Sequence, residues 1–200
     1  MDRPNTSPSF LAGRRAFSLD VKGLSVALGL CADLLFYPDE DIRQDLKNLF
    51  GLVNISTEEV EGLLEGLSLE DLQAHYIALF DVNRESIQCV PYESWWQKGR
   101  LMGDVAIELK DFYRSCGFDF NEDEFKMPAD HVSLQIAFIC RLLDEGMVDE
   151  ACFMINKHTD WIGRLYSCVE QRSKIYGKLL RITLDLINDI KEGELCRRES

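Results

Sequence analysis

Long apolar runs are missing from this 200-residue chain. No stretch reaches the roughly eighteen uninterrupted apolar residues that a transmembrane helix requires. Metal-ligand spacing is missing too. His75, His131 and His158 sit in separate segments, with neither H-x-x-x-H nor H-E-x-x-H. The seven cysteines form no C-x-x-C pair. An odd number at irregular intervals predicts reduced thiols in a cytosolic protein rather than a disulfide framework. A glycine-rich phosphate loop is likewise not visible: Gly62 and Gly66 fall in an amphipathic pattern, and Gly99 and Gly103 lack the accompanying lysine. No metal and no cofactor is expected.

Positive charge is scarce. Lys and Arg number 22 against 35 Asp and Glu, a net charge of −13. Such a chain repels phosphate backbones and anionic lipid, so neither nucleic acid nor stable membrane insertion is expected; its field favours cationic ligands, basic peptides included.

Alternation at period two is also lacking, and what replaces it is helical periodicity. Leu24, Leu28, Cys31 and Leu35 form one stripe, ended by Pro38; Ile42, Leu46, Leu49 and Phe50 form the next. Ser56 and Ser68 read as N-caps, each with an acidic residue three places on. Further helices are expected around Leu72 to Phe80, Leu101 to Tyr113, Asp130 to Leu143, Val148 to Ile155, from Thr159, and from Ile175 to Ile190. The segment opened by Asp130 is apolar nearly all round and should be central. The fold expected is all-α, a compact bundle of roughly nine helices. It should form one domain over residues 18–192, with a mobile arm at 1–17 and a flexible tail at 193–200.

In the arm, Gly13, Arg14, Arg15, Ala16, Phe17, Ser18 and Leu19 resemble a twin-arginine export motif. Asp20 and Lys22 follow at once, Asp33 interrupts the next apolar run, and no small-residue cleavage site closes it. A packed helix is expected there rather than a leader.

Two interior stretches break the periodicity, at 81–97 and 119–129, and long loops in a compact bundle are often functional. The first carries Pro91, Tyr92, Glu93, Ser94, Trp95 and Trp96, followed by Gly99, Arg100, Leu101, Met102 and Gly103; the second ends in Pro128, Ala129, Asp130 and His131. Adjacent residues on a helix diverge by about 100°, so Asp130 is expected to cap the helix it opens rather than orient His131. His131 is then either structural or a ligand contact. Trp95 and Trp96 should not both be buried in an extended segment, and the exposed ring would suit peptide recognition.

These motifs resemble the signature of the TorD/DmsD/NarJ family of redox-enzyme maturation chaperones. Tyr76, Leu79 and Phe80 resemble its aromatic-x-x-Leu-Phe helix end, Pro91 to Ser94 its Pro-aromatic-x-Ser segment, and Arg100 to Gly103 its Leu-hydrophobic-Gly element. Pro128, Asp130 and His131 match its Glu-Pro-x-Asp-His motif, with Met127 in place of the Glu. Phe153, His158 and Trp161 resemble its C-terminal Phe…His-x-x-Trp spacing. The resemblance implies a non-enzymatic cytoplasmic chaperone, monomer or dimer. Its implied partners are the twin-arginine signal peptide and the catalytic subunit of a molybdenum-cofactor oxidoreductase, whose cofactor insertion and export it oversees. It also implies a peptide groove at Tyr76, Leu79, Phe80, Pro91, Tyr92, Ser94, Trp96, Gly103, Pro128, Asp130 and His131, where aromatics take the apolar part and Asp130 with nearby acids attracts the arginines. The alternatives are a helical small-molecule or nucleotide-binding enzyme using Asp130 and His131, or a generic helical adaptor.

Overall fold

Amphipathic stripes need partners for their apolar faces, and packing helix on helix supplies them. The computed structural model describes residues 17–81, 89–119, 127–193 and 195–197; Arg14 and Arg15 lie outside this set. Ten helices occur among the described residues: α1 (Val21–Leu34), α2 (Ile42–Leu52), α3 (Thr57–Leu64), α4 (Leu69–Phe80), α5 (Glu93–Lys98), α6 (Asp104–Ser115), α7 (Val132–Asp144), α8 (Val148–His158), α9 (Ile162–Val169) and α10 (Lys174–Glu192). Nine are seven residues or longer, in line with the expected bundle. The exception is the six-residue α5, which begins inside the stretch read as irregular and ends one residue beyond it, being too short to display a period.

Caps fall where the local chemistry puts them. The Asp20 carboxylate accepts the Gly23 N–H at 2.8 Å at the start of α1. Ser56 accepts from Glu59, and Ser68 and Asp71 form a reciprocal capping box. Each such cap is worth about 1 kcal/mol.

Helix α7 is the centre of the bundle. It packs along α1 and against α8, while α10 closes the other side against α1, α8 and α9. The two central helices approach closely: a Cβ on Gly29 of α1 would stand 3.4 Å from Cys140 Sγ of α7. Ile136, Ile139 and Leu142 of α7 and Leu180, Leu186 and Ile190 of α10 are wholly buried. Each such side chain contributes about 1.5–3 kcal/mol relative to exposure.

The cysteines correct one expectation. Cys89 is bonded to Cys168 and Cys152 to Cys196, leaving Cys31, Cys116 and Cys140 as free thiols. The paired cysteines are 79 and 44 residues apart in sequence, yet their Cα atoms stand 5.6 and 5.5 Å from each other. That lies within disulfide reach. Spacing along the chain carries no trace of contacts made between distant helices. Cys31 behaves as the small buried hydrophobe expected of it, its thiol pushed up to about 12 by burial.

Candidate functional site

The two irregular stretches meet. Tyr92 and His131 form an isolated antiparallel bridge. Glu93 N–H donates to the Asp130 carbonyl at 3.0 Å, and Val132 N–H donates to the Pro91 carbonyl at 2.9 Å. The Tyr113 hydroxyl, from α6, donates to the Ala129 carbonyl at 2.9 Å. Backbone groups that no helix can satisfy are thus satisfied across the junction.

Asp130 does not cap its own helix, contrary to expectation. Helix α7 begins one residue later than predicted, because His131 takes an extended conformation and its Nδ1 accepts the Ser133 N–H at 3.2 Å. Asp130 instead accepts the Ser94 N–H at 2.9 Å, placing a carboxylate at the start of α5, where the exposed amides favour it. Neither side chain orients the other. Both are buried, and burial holds the His131 imidazole neutral, its pKa lowered to about 3.

A second knot lies beneath. Glu93 is fully buried, and His158 Nδ1 stands 3.1 Å from both of its carboxylate oxygens. Gln135 Nε2 donates to it at 2.5 Å, and Gln97 also donates. The Trp161 indole N–H reaches Gln135 Oε1 at 3.1 Å and the His158 carbonyl at 2.8 Å. This network joins α5 to α7, α8 and the turn before α9. Sequence reading placed Glu93 in the motif without giving it a role. No local signal pairs Glu93 with His158, which stand 65 residues apart and meet only where their helices pack.

Above the knot opens a cleft of about 210 Å³. Phe36 and Tyr37, from the turn between α1 and α2, form one wall, and Pro91, Tyr92, Met127 and His131 form the other. Tyr76, Ile77 and Phe80 of α4 lie between them, with Asp81 beside Phe80. The rings brace one another: Tyr37 on Tyr76 at 5.7 Å, Tyr76 on Phe80 at 4.9 Å, and Tyr92 edge-on to His131 at 5.0 Å. Tyr176 of α10 supports the floor, 5.8 Å from Tyr76 and 5.3 Å from Phe80. Phe36 and Tyr37 also border a second concavity that holds Asp33, Asp39, Asp41 and Asp45. Burial and mutual repulsion raise the carboxyls of Asp33 and Asp45 above the ordinary range.

Of the eleven residues named from sequence, Tyr76, Phe80, Pro91, Tyr92 and His131 line this cleft. Leu79 points into the core, and Ser94 and Asp130 lie buried under the wall. Pro128 accepts the His131 N–H through its carbonyl. Gly103 starts α6 with φ +95°, beside Met102 at φ +62°, and serves the turn that glycine alone adopts without strain. Trp96 is half-buried with its indole N–H donated to the Val90 carbonyl at 2.7 Å; the exposed ring of the pair is Trp95. The two tryptophans sit on a helix rather than an extended segment. Phe36 and Tyr37 were missed, although two aromatics directly before a proline at a helix end are a recognisable surface feature.

A short helix is thus held on a loop junction over an all-helical bundle, beside an aromatic cleft. Residues 41–173 match the family model described as nitrate reductase delta subunit, and the chain belongs to that family. Its members are maturation chaperones of redox enzymes, not catalysts. The fold is similar to the crystal structure of a proposed redox enzyme maturation protein from Archaeoglobus fulgidus, with a TM-score of 0.58 and 23% identity over 94% of this chain and 98% of that one. No curated protein gives a significant match.

Proposed function

We propose that this chain is a cytoplasmic chaperone whose aromatic cleft binds the twin-arginine signal peptide of a molybdenum-cofactor oxidoreductase of the nitrate reductase type. On this reading it assists cofactor insertion, assembly and export proofreading of the catalytic subunit. The observation that carries the proposal is the continuity of the aromatic cleft with the acidic concavity through Phe36 and Tyr37. A signal peptide joins arginines to an apolar run, and this surface offers carboxylates next to aromatic rings. The arginine contact falls to Asp33, Asp39, Asp41 and Asp45 rather than to Asp130, whose carboxylate is enclosed and committed to Ser94. That commitment, with His131 held neutral as a cap, also counts against an acid–base pair doing chemistry here. Among the described residues no helix is long and apolar enough to cross a membrane.

Affinity capture with the tagged full-length chain, followed by mass spectrometry, tests the partner. Recovery of a molybdoenzyme catalytic subunit is expected, and its loss after competition with the free signal peptide. Capture that the peptide does not displace would contradict the proposed site.

A further inference from the structure

We propose that the Cys89–Cys168 disulfide is a redox-sensitive latch on the cleft, opened by a dithiol reductant; the effect on binding rests on the peptide reading above.

The position of the bond carries the argument. Cys89 directly precedes Val90, Pro91 and Tyr92, the segment that forms one cleft wall. Its N–H donates to the Leu79 carbonyl at 3.0 Å, so the segment starts against the end of α4. Cys168 lies in the last turn of α9, at the corner where the chain turns into α10. That corner is tight: a Cβ on Gly177 would stand 2.9 Å from the Glu170 Cα. It carries Tyr176, whose ring supports Tyr76 and Phe80 from below. The disulfide therefore ties the wall of the cleft to the corner that braces its floor.

The chemistry follows from the surroundings of the two sulfurs. Cys89 is fully buried and Cys168 is partly exposed. A thiolate of the reductant attacks Cys168 Sγ; the S–S bond breaks and Cys89 leaves with the electron pair and takes a proton. The second thiol of the reductant then attacks the mixed disulfide and releases Cys168. The protein gains two thiols and the reductant becomes a disulfide. Arg172 Nη1 stands 3.7 Å from Cys168 Sγ and 2.6 Å from the Cys168 carbonyl. A guanidinium there stabilises the Cys168 thiolate, the nucleophile that attacks a low-molecular-weight disulfide when the latch closes again. The Cys152–Cys196 bond is a natural control. It joins α8 to the C-terminal segment, and neither residue lines the cleft.

The test compares the full-length chain oxidised with glutathione disulfide and reduced with dithiothreitol, the state of each cysteine being read by alkylation and mass spectrometry. Reduction should raise hydrogen exchange at the amides of Cys89, Val90 and Tyr92. If it leaves about a tenth of the molecules with the wall in place, affinity for a twin-arginine peptide falls about tenfold. Cys168→Ala should reproduce the reduced behaviour without reductant, whereas Cys196→Ala should not. Full alkylation of Cys89 and Cys168 after oxidation, or equal exchange and equal affinity in the two states, would overturn the latch. A peptide that binds neither state sinks the peptide reading, and the exchange difference alone then decides the latch.

Discussion

Asp130 caps the helix that begins beside Ser94, not the helix that follows it in sequence. Its carboxylate accepts the Ser94 N–H at 2.9 Å while its carbonyl accepts the Glu93 N–H at 3.0 Å. Ser94 and Asp130, 36 residues apart, thereby join the two motifs into one structural unit.

Asp130→Ala should lower stability by about 1–2 kcal/mol, the range for a lost helix cap. Because the carboxylate is enclosed, the salt dependence of peptide binding should be unchanged. Denaturant titration and peptide binding at two salt concentrations read the two effects. Unchanged stability with a flattened salt response would mean that Asp130 faces the ligand.

Glu93→Ala should be the most damaging single change at the site. It strands His158 and Gln135 in a buried environment, and each buried polar group left unsatisfied costs about 1–3 kcal/mol. A loss below about 1 kcal/mol in equilibrium unfolding would contradict the keystone role assigned to this carboxylate.

Tyr92→Ala and Phe36→Ala should each weaken peptide binding by about 1–3 kcal/mol with the fold retained, as expected of aromatic anchors. Trp96→Ala should instead show mainly as lost stability, since its ring is half-buried and bonded to Val90. Calorimetric titration beside thermal unfolding separates the two patterns, and the reverse assignment would move the groove towards α5.

His131 predicts an acid limb. Its folded pKa, about 3, lies below the ordinary histidine value, so the unfolded chain binds the extra proton first. Its contribution is present in full above about pH 6.5 and is lost as pH falls towards 3. His131→Asn, which keeps a capping side chain, should flatten the stability profile in that window. A profile unchanged by the substitution would assign the acid limb to other groups.

The helices were legible because each needs a stripe, and a stripe repeats often enough to be counted. Ser56 and Ser68 were legible as caps because capping is local. The family was legible from the Pro91–Ser94 and Pro128–His131 motifs. What could not be read was pairing at a distance: Glu93 with His158, Asp130 with Ser94, and Cys89 with Cys168. Each depends on helices meeting in space, and sequence separation holds no record of that. For the same reason Phe36 and Tyr37 joined the cleft only in three dimensions.

The most direct measurement of the central claim is titration of the full-length chain with a twin-arginine signal peptide at two ionic strengths. From about 0.01 M to about 0.15 M salt the screening length shrinks from about 30 to about 8 Å. Affinity should fall over that range for the wild-type chain and fall less for Asp33→Asn/Asp41→Asn, while Tyr92→Ala weakens binding equally at both. Salt-independent binding, or binding that neither the acidic nor the aromatic substitutions alter, would contradict the account.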